Sequence, residues 1–162
     1  MKLDISSLGN AIVDVQFSIE EDFVSKLEKM SIPKGSMTLI EAKEQSNLIG
    51  LLKKDYGEPI LSCGGAVTNS IVAASNFGSA CHLSCKVRND DLGIFYLENL
   101  SKNNVLHSQK ASESDLSTGQ SVIMVTPDAE RTMCTCLGIS SFLSSNDLDK
   151  LAIRNSKYLF LE

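Results

Sequence analysis

The sequence contains no tryptophan, and aromatic residues make up only 6% of its 162 positions. Long apolar runs are also missing, which excludes a membrane-spanning helix of the usual length and leaves no expectation of a membrane partner. The opening Met-Lys-Leu-Asp-Ile-Ser places an acid where a signal peptide needs an uninterrupted apolar core, so a cytoplasmic location is expected. Basic charge is in short supply, with 15 Lys and Arg against 20 Asp and Glu and a net charge of −5. Without clustered cations to neutralise phosphates, nucleic acid is not an expected partner. The five cysteines, Cys63, Cys81, Cys85, Cys134 and Cys136, are odd in number, and their spacings fit no zinc framework. They read as reduced, small buried hydrophobes, and no metal ligand is assigned. The spaced glycines of a dinucleotide-binding module, G-x-G-x-x-G, are absent too, which argues against a Rossmann cofactor site. No repeat or low-complexity linker divides the chain. With 43% hydrophobic and 22% charged residues, it reads as one soluble globular domain with a real core.

Against this background Leu61–Gly78 stands out, because a short apolar strand runs through Gly64-Gly65 into a helical pattern made by Val67, Ile71 and Ala74. Paired glycines accept backbone angles closed to other residues and let a ligand lie against the main chain. Asn69 falls in the first helical turn, where free N–H groups favour oxygen-rich or anionic groups, and Gly78 supplies a stop. A binding turn and a turn that merely packs a helix on a sheet both remain open at this point. Asp14 is similar: a carboxylate inside Ala-Ile-Val-Asp-Val either faces solvent at a strand end or is placed to accept hydrogen bonds.

Elsewhere, the spacing predicts helices over Ile19–Met30 and about Ile40–Lys54, a strand over Ile60–Cys63, and a strand over Ala80–Val87. In that last strand Cys81, Leu83, Cys85 and Val87 share one face, and His82 falls on a more polar reverse side. His82 and His107 both read as surface residues. Asn89–Gly93 reads as a helix cap, with a strand following at Val105–His107. Gln120–Thr126 and Arg131–Leu137 form a hairpin around Pro127-Asp-Ala-Glu, expected to project as a flap. Ser144 is expected to cap a short helix through about Asn155, before a last strand, Tyr158–Leu161. A strand in alternating β and α units is normally followed by a crossover that covers the sheet, so this ending implies a part of a larger fold.

Five stretches, in order, resemble the amino-terminal half of the PfkB carbohydrate kinases, the ribokinase and adenosine kinase group. They are Leu8-Gly-Asn-Ala-Ile-Val-Asp14, Gly64-Gly-Ala-Val-Thr-Asn69 through Gly78, Lys86-Val-Arg-Asn-Asp-Asp-Leu-Gly93, Thr118-Gly119 with Val125–Thr132, and the closing Tyr-Leu-Phe-Leu-Glu162. The resemblance implies an α/β fold, an incomplete ribokinase-like three-layer α/β/α sheet with a small projecting β lid. Residues 1–162 would form the amino-terminal part of the kinase domain, with lid segments at about 12–40 and 112–138. It implies transfer of the ATP γ-phosphate to a sugar or nucleoside hydroxyl. Carried over by motif, Asp14, Gly64, Gly65 and Asn69 hold the acceptor. Glu162 matches a strand-end residue that reaches the substrate in some members. Arg131 is either a lid cation that meets the transferred phosphate or a solvated hairpin residue. The family's Gly-Ala-Gly-Asp segment, which carries the general base, is not among these residues, so no catalytic residue is assigned. ATP and magnesium would be bound mainly by the remaining half. The alternative is a truncated sugar- or nucleoside-binding fragment without turnover. A homodimer through the lid fits the family. Relatives tend to carry Asn and Tyr where this chain has Cys134 and Cys136, and if those thiols face the acceptor the pocket is smaller and less polar.

Overall fold

The computed structural model describes residues 2–108 and 111–161. Its first half runs β1 (Leu3–Leu8), β2 (Ile12–Ser18), a 3-10 turn at Glu21–Phe23, α1 (Val24–Lys29), β3 (Met37–Leu39), α2 (Ala42–Tyr56), β4 (Ile60–Gly64) and α3 (Ala66–Asn76). It continues through β5 (Cys81–Ser84), α4 (Asp91–Lys102), β6 (Val105–Leu106), β7 (Gly119–Val125), β8 (Arg131–Cys136), a 3-10 turn at Gly138–Phe142, α5 (Lys150–Arg154) and β9 (Ser156–Leu161). The chain divides into two units, Met1–Val13 with Cys63–Gly119 and Gly138–Glu162, and Asp14–Ser62 with Gln120–Leu137.

The first unit is built on a parallel sheet of order β6-β5-β1-β9. Cys81, Leu83, Cys85 and Val87 do share a buried face, packed with Val67 and Ile71 of α3 and Tyr96 and Leu100 of α4. The helix α3 stops where glycine allows it: Gly78 takes φ +93° and its N–H donates to Ser75 O, while Ser79 N–H donates to Ala74 O. That pair of bonds satisfies carbonyls the helix end would leave open.

The reverse side of β5 corrects the expectation for His82. All four residues of β5 are buried, and His82 is only 3% exposed. The strand lies between β6 and β1, where a parallel sheet is covered on both faces. The imidazole is accommodated by polar neighbours: Nδ1 lies 3.5 Å from Ser6 Oγ and Nε2 lies 3.3 Å from Ser108 Oγ. Burial lowers its pKa below the usual value, against the opposing charge of Asp149, and His107 adds to the lowering. The start of α5 is also corrected. Ser144 closes a local turn with Asp147, whereas Asp149 caps the helix by accepting from the N–H groups of Leu151 and Ala152.

The second unit holds the hairpin. β7 and β8 pair antiparallel from Gln120 opposite Cys136 to Val125 opposite Arg131, as the sequence implies, in a sheet of order β3-β8-β7-β2-β4. Val15, Phe17, Val122, Met124 and Cys134 pack against Phe23, Leu27, Leu48 and Leu52. A buried amide docks α2 on this sheet, with Gln45 Nε2 donating to Gln120 O at 2.9 Å and to Cys134 O at 3.0 Å. Glu44 helps start α2 by accepting the Glu41 N–H at 3.1 Å. The helix expected over Ile19–Met30 is a 3-10 turn followed by the six-residue α1. The strand β3 has no counterpart in the sequence reading, because three residues after Pro33-Lys-Gly-Ser are too few to display a period. It forms by pairing with β8.

Candidate functional site

In the first unit the second glycine of the pair, Gly65, is set by a close contact. Gly65 takes φ +94°, and a Cβ there would lie 2.7 Å from Asn10 O. At Gly9 a Cβ would lie 2.7 Å from Val67. The Leu8-Gly9-Asn10 segment therefore presses directly on the turn into α3, and only glycine permits both approaches. Gly64 is the buried last residue of β4, and Gly65 precedes the helix as its N-cap. Asn69 N–H is used within the helix, donating to Gly65 O at 3.0 Å, and its side chain is on an exposed position. The amides of Ala66, Val67 and Thr68 precede that first intrahelical bond and so belong to the donors that a helix start leaves for a ligand or solvent.

Two long-range contacts, one at this turn and one at the cap of α4, were not legible in the sequence. Thr68 Oγ1 and Tyr96 Oη are 2.5 Å apart and buried, which fastens the first turn of α3 to α4. The Tyr96 hydroxyl is pushed well above its usual pKa by burial, with the Cys85 and Cys63 thiols adding to the effect, so it stays a neutral donor and acceptor. No local pattern links positions 68 and 96. The second contact is made by Asp90. Its Oδ1 accepts from Gly93 N–H at 2.8 Å and from Thr118 Oγ1 at 2.6 Å, and its Oδ2 accepts from Thr118 N–H at 3.0 Å. Thr118 Oγ1 in turn accepts from Arg88 N–H at 3.0 Å. Asp90 thus ties together two motifs that the sequence presents separately, Lys86–Gly93 and Thr118-Gly119. Gly93 must lack a side chain here, since a Cβ would fall 2.0 Å from Arg88 O.

In the second unit, alternation along β2 sends Val15 and Phe17 into the core and Asp14 to the other face. Asp14 is half-buried and has no hydrogen-bond partner among the described residues. Burial raises its pKa above the usual carboxylate value, and the nearby Arg131 charge opposes the rise. Arg131 opens β8 on an exposed position opposite Val125. Cys134 is fully buried in the core with Val15, Phe17 and the helices, on the face opposite Asp14. Cys136 shares that side by the period of the strand, so the two thiols do not narrow a pocket on the Asp14 face. The hairpin turn is pinned by Lys34 Nζ, which donates to Asp128 Oδ2 at 2.7 Å and to Glu21 Oε1 at 2.6 Å. That cation, with hydrogen bonds from Thr126 and the Glu130 N–H, holds the Asp128 carboxyl well below the usual range.

The sequence-predicted residues therefore fall into two sets. Gly64, Gly65 and Asn69 meet at one strand-to-helix turn in the first unit, and Asp14 and Arg131 belong to one sheet in the second. Glu162 lies outside the described residues. Among the described residues no group of three His, Cys, Asp or Glu side chains is arranged to hold a metal ion. No helix among them is long and apolar enough to cross a membrane.

These features, a parallel α/β sheet with a glycine-led helix and a second sheet unit inserted through the chain, define an α/β protein of ribokinase-like fold. The pfkB family carbohydrate kinase model matches residues 37–162, and the chain belongs to that family. It is 33% identical to mouse (Mus musculus) ribokinase over 95 residues, 59% of this chain and 29% of that protein. The structure of adenosine kinase from Sinorhizobium meliloti superposes with a TM-score of 0.84 at 30% identity, covering 99% of this chain and 47% of that one. A probable sugar kinase from Rhizobium etli CFN 42 gives a TM-score of 0.85 at 27% identity, with the same coverage of 99% and 47%. The chain thus spans less than half the length of the relatives it matches.

Proposed function

We propose that this chain binds the acceptor in a phosphoryl transfer from ATP to a sugar or nucleoside hydroxyl. Asp14, Gly64, Gly65, Asn69 and Glu162 are the acceptor contacts, and Arg131 is the cation that meets the transferred phosphate. The observation that carries this reading is Asp14, a half-buried carboxylate without a hydrogen bond among the described residues, beside an arginine. Buried polar groups are normally satisfied, and an ionised carboxylate accepts only. Adjacent hydroxyls of a sugar ring supply the paired donors it lacks. The main-chain donors at the start of α3, next to a residue without a side chain, suit the remaining oxygens of such an acceptor.

The segments at about 12–40 and 112–138 act in this reading as a lid that keeps water from the phosphoryl group. ATP with magnesium supplies that group and offsets its charge when bound. The described residues hold no cluster suited to the metal, and no step is assigned to it here. ATP and magnesium are assigned to the portion of the family's fold that this chain does not span. The exposed edge of β3, with Met37 and Leu39 facing solvent, is where a lid-to-lid homodimer would pair, and a cytoplasmic setting suits such a kinase.

A second reading, binding without turnover, is favoured by one observation: no Gly-Ala-Gly-Asp occurs in the 162 residues. Titration calorimetry with a panel of sugars and nucleosides, run beside a coupled assay of ATP consumption, tests the acceptor role and where turnover resides. Binding with turnover by this chain alone would remove the assignment of catalysis to the unspanned portion. Binding without turnover agrees with both the acceptor role and the fragment reading, and absence of binding to every acceptor overturns the proposal.

A further inference from the structure

A parallel strand buried on both faces normally carries apolar side chains on each. The strand β5 does so only on the face of Cys81 and Leu83; its other face carries His82 and Ser84, beside Ser6 of β1, and all three are at most 3% exposed. These groups join one hydrogen-bonded chain. Ser108 Oγ donates to Asp149 Oδ2, so it can meet His82 Nε2, 3.3 Å away, only as an acceptor. The ring proton therefore sits on Nε2, and Nδ1 is left to accept from Ser6 Oγ at 3.5 Å. Asp149 N–H donates to Ser84 Oγ at 3.3 Å, while Asp149 Oδ1 caps α5 through the Leu151 and Ala152 N–H groups. A neutral imidazole thus completes a clasp between β5 and the start of α5. The titratable groups around it come from every neighbouring element. After β6 stands His107, and at the α5 cap Asp149 places Oδ2 3.8 Å from Nε2. On β1 Asp4 is held by Lys157 at 2.7 Å, and past the end of β5 Lys86 is held by Asp147 at 3.1 Å. Across the sheet lie Cys81, Cys85 and Tyr96.

We propose that this clasp is an acid-operated latch: a proton taken up at His82 Nδ1 breaks the fit of the ring between Ser6 and Ser108 and frees the start of α5 from β5. The proton comes from solvent, which reaches the outer end of the chain through an open hollow of about 660 Å³ lined by Ser108, Asp147, Asp149 and Lys150. Ser6 is fully buried, and its hydroxyl, the donor to the neutral ring, would then face a second donor. Burial disfavours the charged ring and outweighs the attraction of Asp149, with His107 acting in the same direction as burial. An opened His82 takes up a proton near its ordinary value of about 6.5, and the clasped ring only at lower pH, so acid favours the opened form. The stabilising contribution is complete above about pH 6.5 and is lost as pH falls toward the folded value.

The test is a proton NMR titration of the His82 and His107 rings, with the Leu151 and Ala152 amides followed over the same range, from about pH 7.5 to about pH 5. The His82 midpoint should lie below about 6.5, and the two amides should move with it. Asp149→Asn, which keeps a capping oxygen and loses the charge, should lower that midpoint further. His82→Gln keeps a donor and an acceptor but does not titrate. As pH falls through the window, urea unfolding should show the unfolding constant of the parent rising relative to that of His82→Gln, by up to about tenfold per pH unit, the limit for one proton. The comparison cancels the carboxylates that titrate in both proteins, Asp14 included. The ring titration needs no variant, so it decides the matter even where His82→Gln fails to fold. A His82 midpoint at or above about 6.5, amides of α5 that ignore the titration of the ring, or parallel pH profiles for parent and His82→Gln would each overturn the proposal.

Discussion

Replacing Asp90 by alanine should destabilise the chain more than any single surface change. The carboxylate caps α4 through Gly93 N–H and holds both the N–H and the hydroxyl of Thr118, a fully buried residue. Loss of an N-cap costs about 0.5–2 kcal/mol. Each hydrogen bond to a charged acceptor contributes about 1.5–3 kcal/mol, and the two Thr118 donors would be left without their partner. Because one carboxylate serves all three bonds, the terms do not add fully, and a total of about 3–5 kcal/mol is expected. For a chain of this length that is a fall of about 10 °C or more in melting temperature. With no tryptophan, urea and thermal unfolding are best followed by circular dichroism and by tyrosine emission, to which Tyr96 in α4 contributes. Asp90→Asn sharpens the test. Its amide oxygen can replace Oδ1 toward Gly93 and the Thr118 hydroxyl, but its NH2 faces the Thr118 N–H that Oδ2 accepts, so an intermediate loss is expected. An Asp90→Ala protein within about 0.5 kcal/mol of the parent, the range of ordinary surface changes, would refute the hub.

Asp14→Asn should weaken acceptor binding about 10- to 150-fold in titration calorimetry, the equivalent of about 1.5–3 kcal/mol for a hydrogen bond involving a charged group; unchanged affinity removes Asp14 from the site. The same change should raise stability in the absence of ligand. Burial lifts the folded-state pKa of Asp14 above its unfolded value, so its favourable contribution is complete below about pH 4 and lost as pH rises through the folded pKa. The variant should therefore melt above the parent at pH 7, and the gap should close at acid pH. Gly65→Ala should cost about 1–3 kcal/mol through its positive φ and the approach of Asn10 O, whereas Gly50→Ala, in α2 with nothing within 4 Å, should gain about 0.5–1 kcal/mol; denaturant midpoints that reverse this order contradict the turn geometry. Burial pushes the Cys85 thiol up to about 12, so a thiol reagent should modify the half-buried Cys63 and Cys136 first, and Cys85 reacting as fast as a free thiol would contradict its packing.

Much of this molecule is legible along the chain because its signals are local. The period of Cys81, Leu83, Cys85 and Val87, the stop at Gly78, and the Pro127-Asp-Ala-Glu turn each depend on residues within a few positions of one another. The helix α2 follows from Leu48 and Leu52 for the same reason. The misreadings are non-local. His82 looks like a surface residue on an alternating strand, but Ser6 of β1 and Ser108 after β6 close around it. For Cys134 the sequence supports a small buried hydrophobe but leaves its face open, and the sheet places it in the core with Leu48 and Leu52 of α2.

Sequence alone determined the glycine pair, the acceptor candidates Asp14 and Asn69, the hairpin and the family resemblance, because motif spacing and apolar period are properties of neighbouring residues. Tertiary structure alone decided why Gly65 must be glycine, how far the cap of α4 reaches, and which face Cys134 takes. Those answers depend on Asn10 O meeting Gly65, on Asp90 reaching Thr118 and on Cys134 packing with Leu48 and Leu52. Such contacts join residues far apart in sequence, and only the folded backbone brings them within hydrogen-bond or van der Waals range.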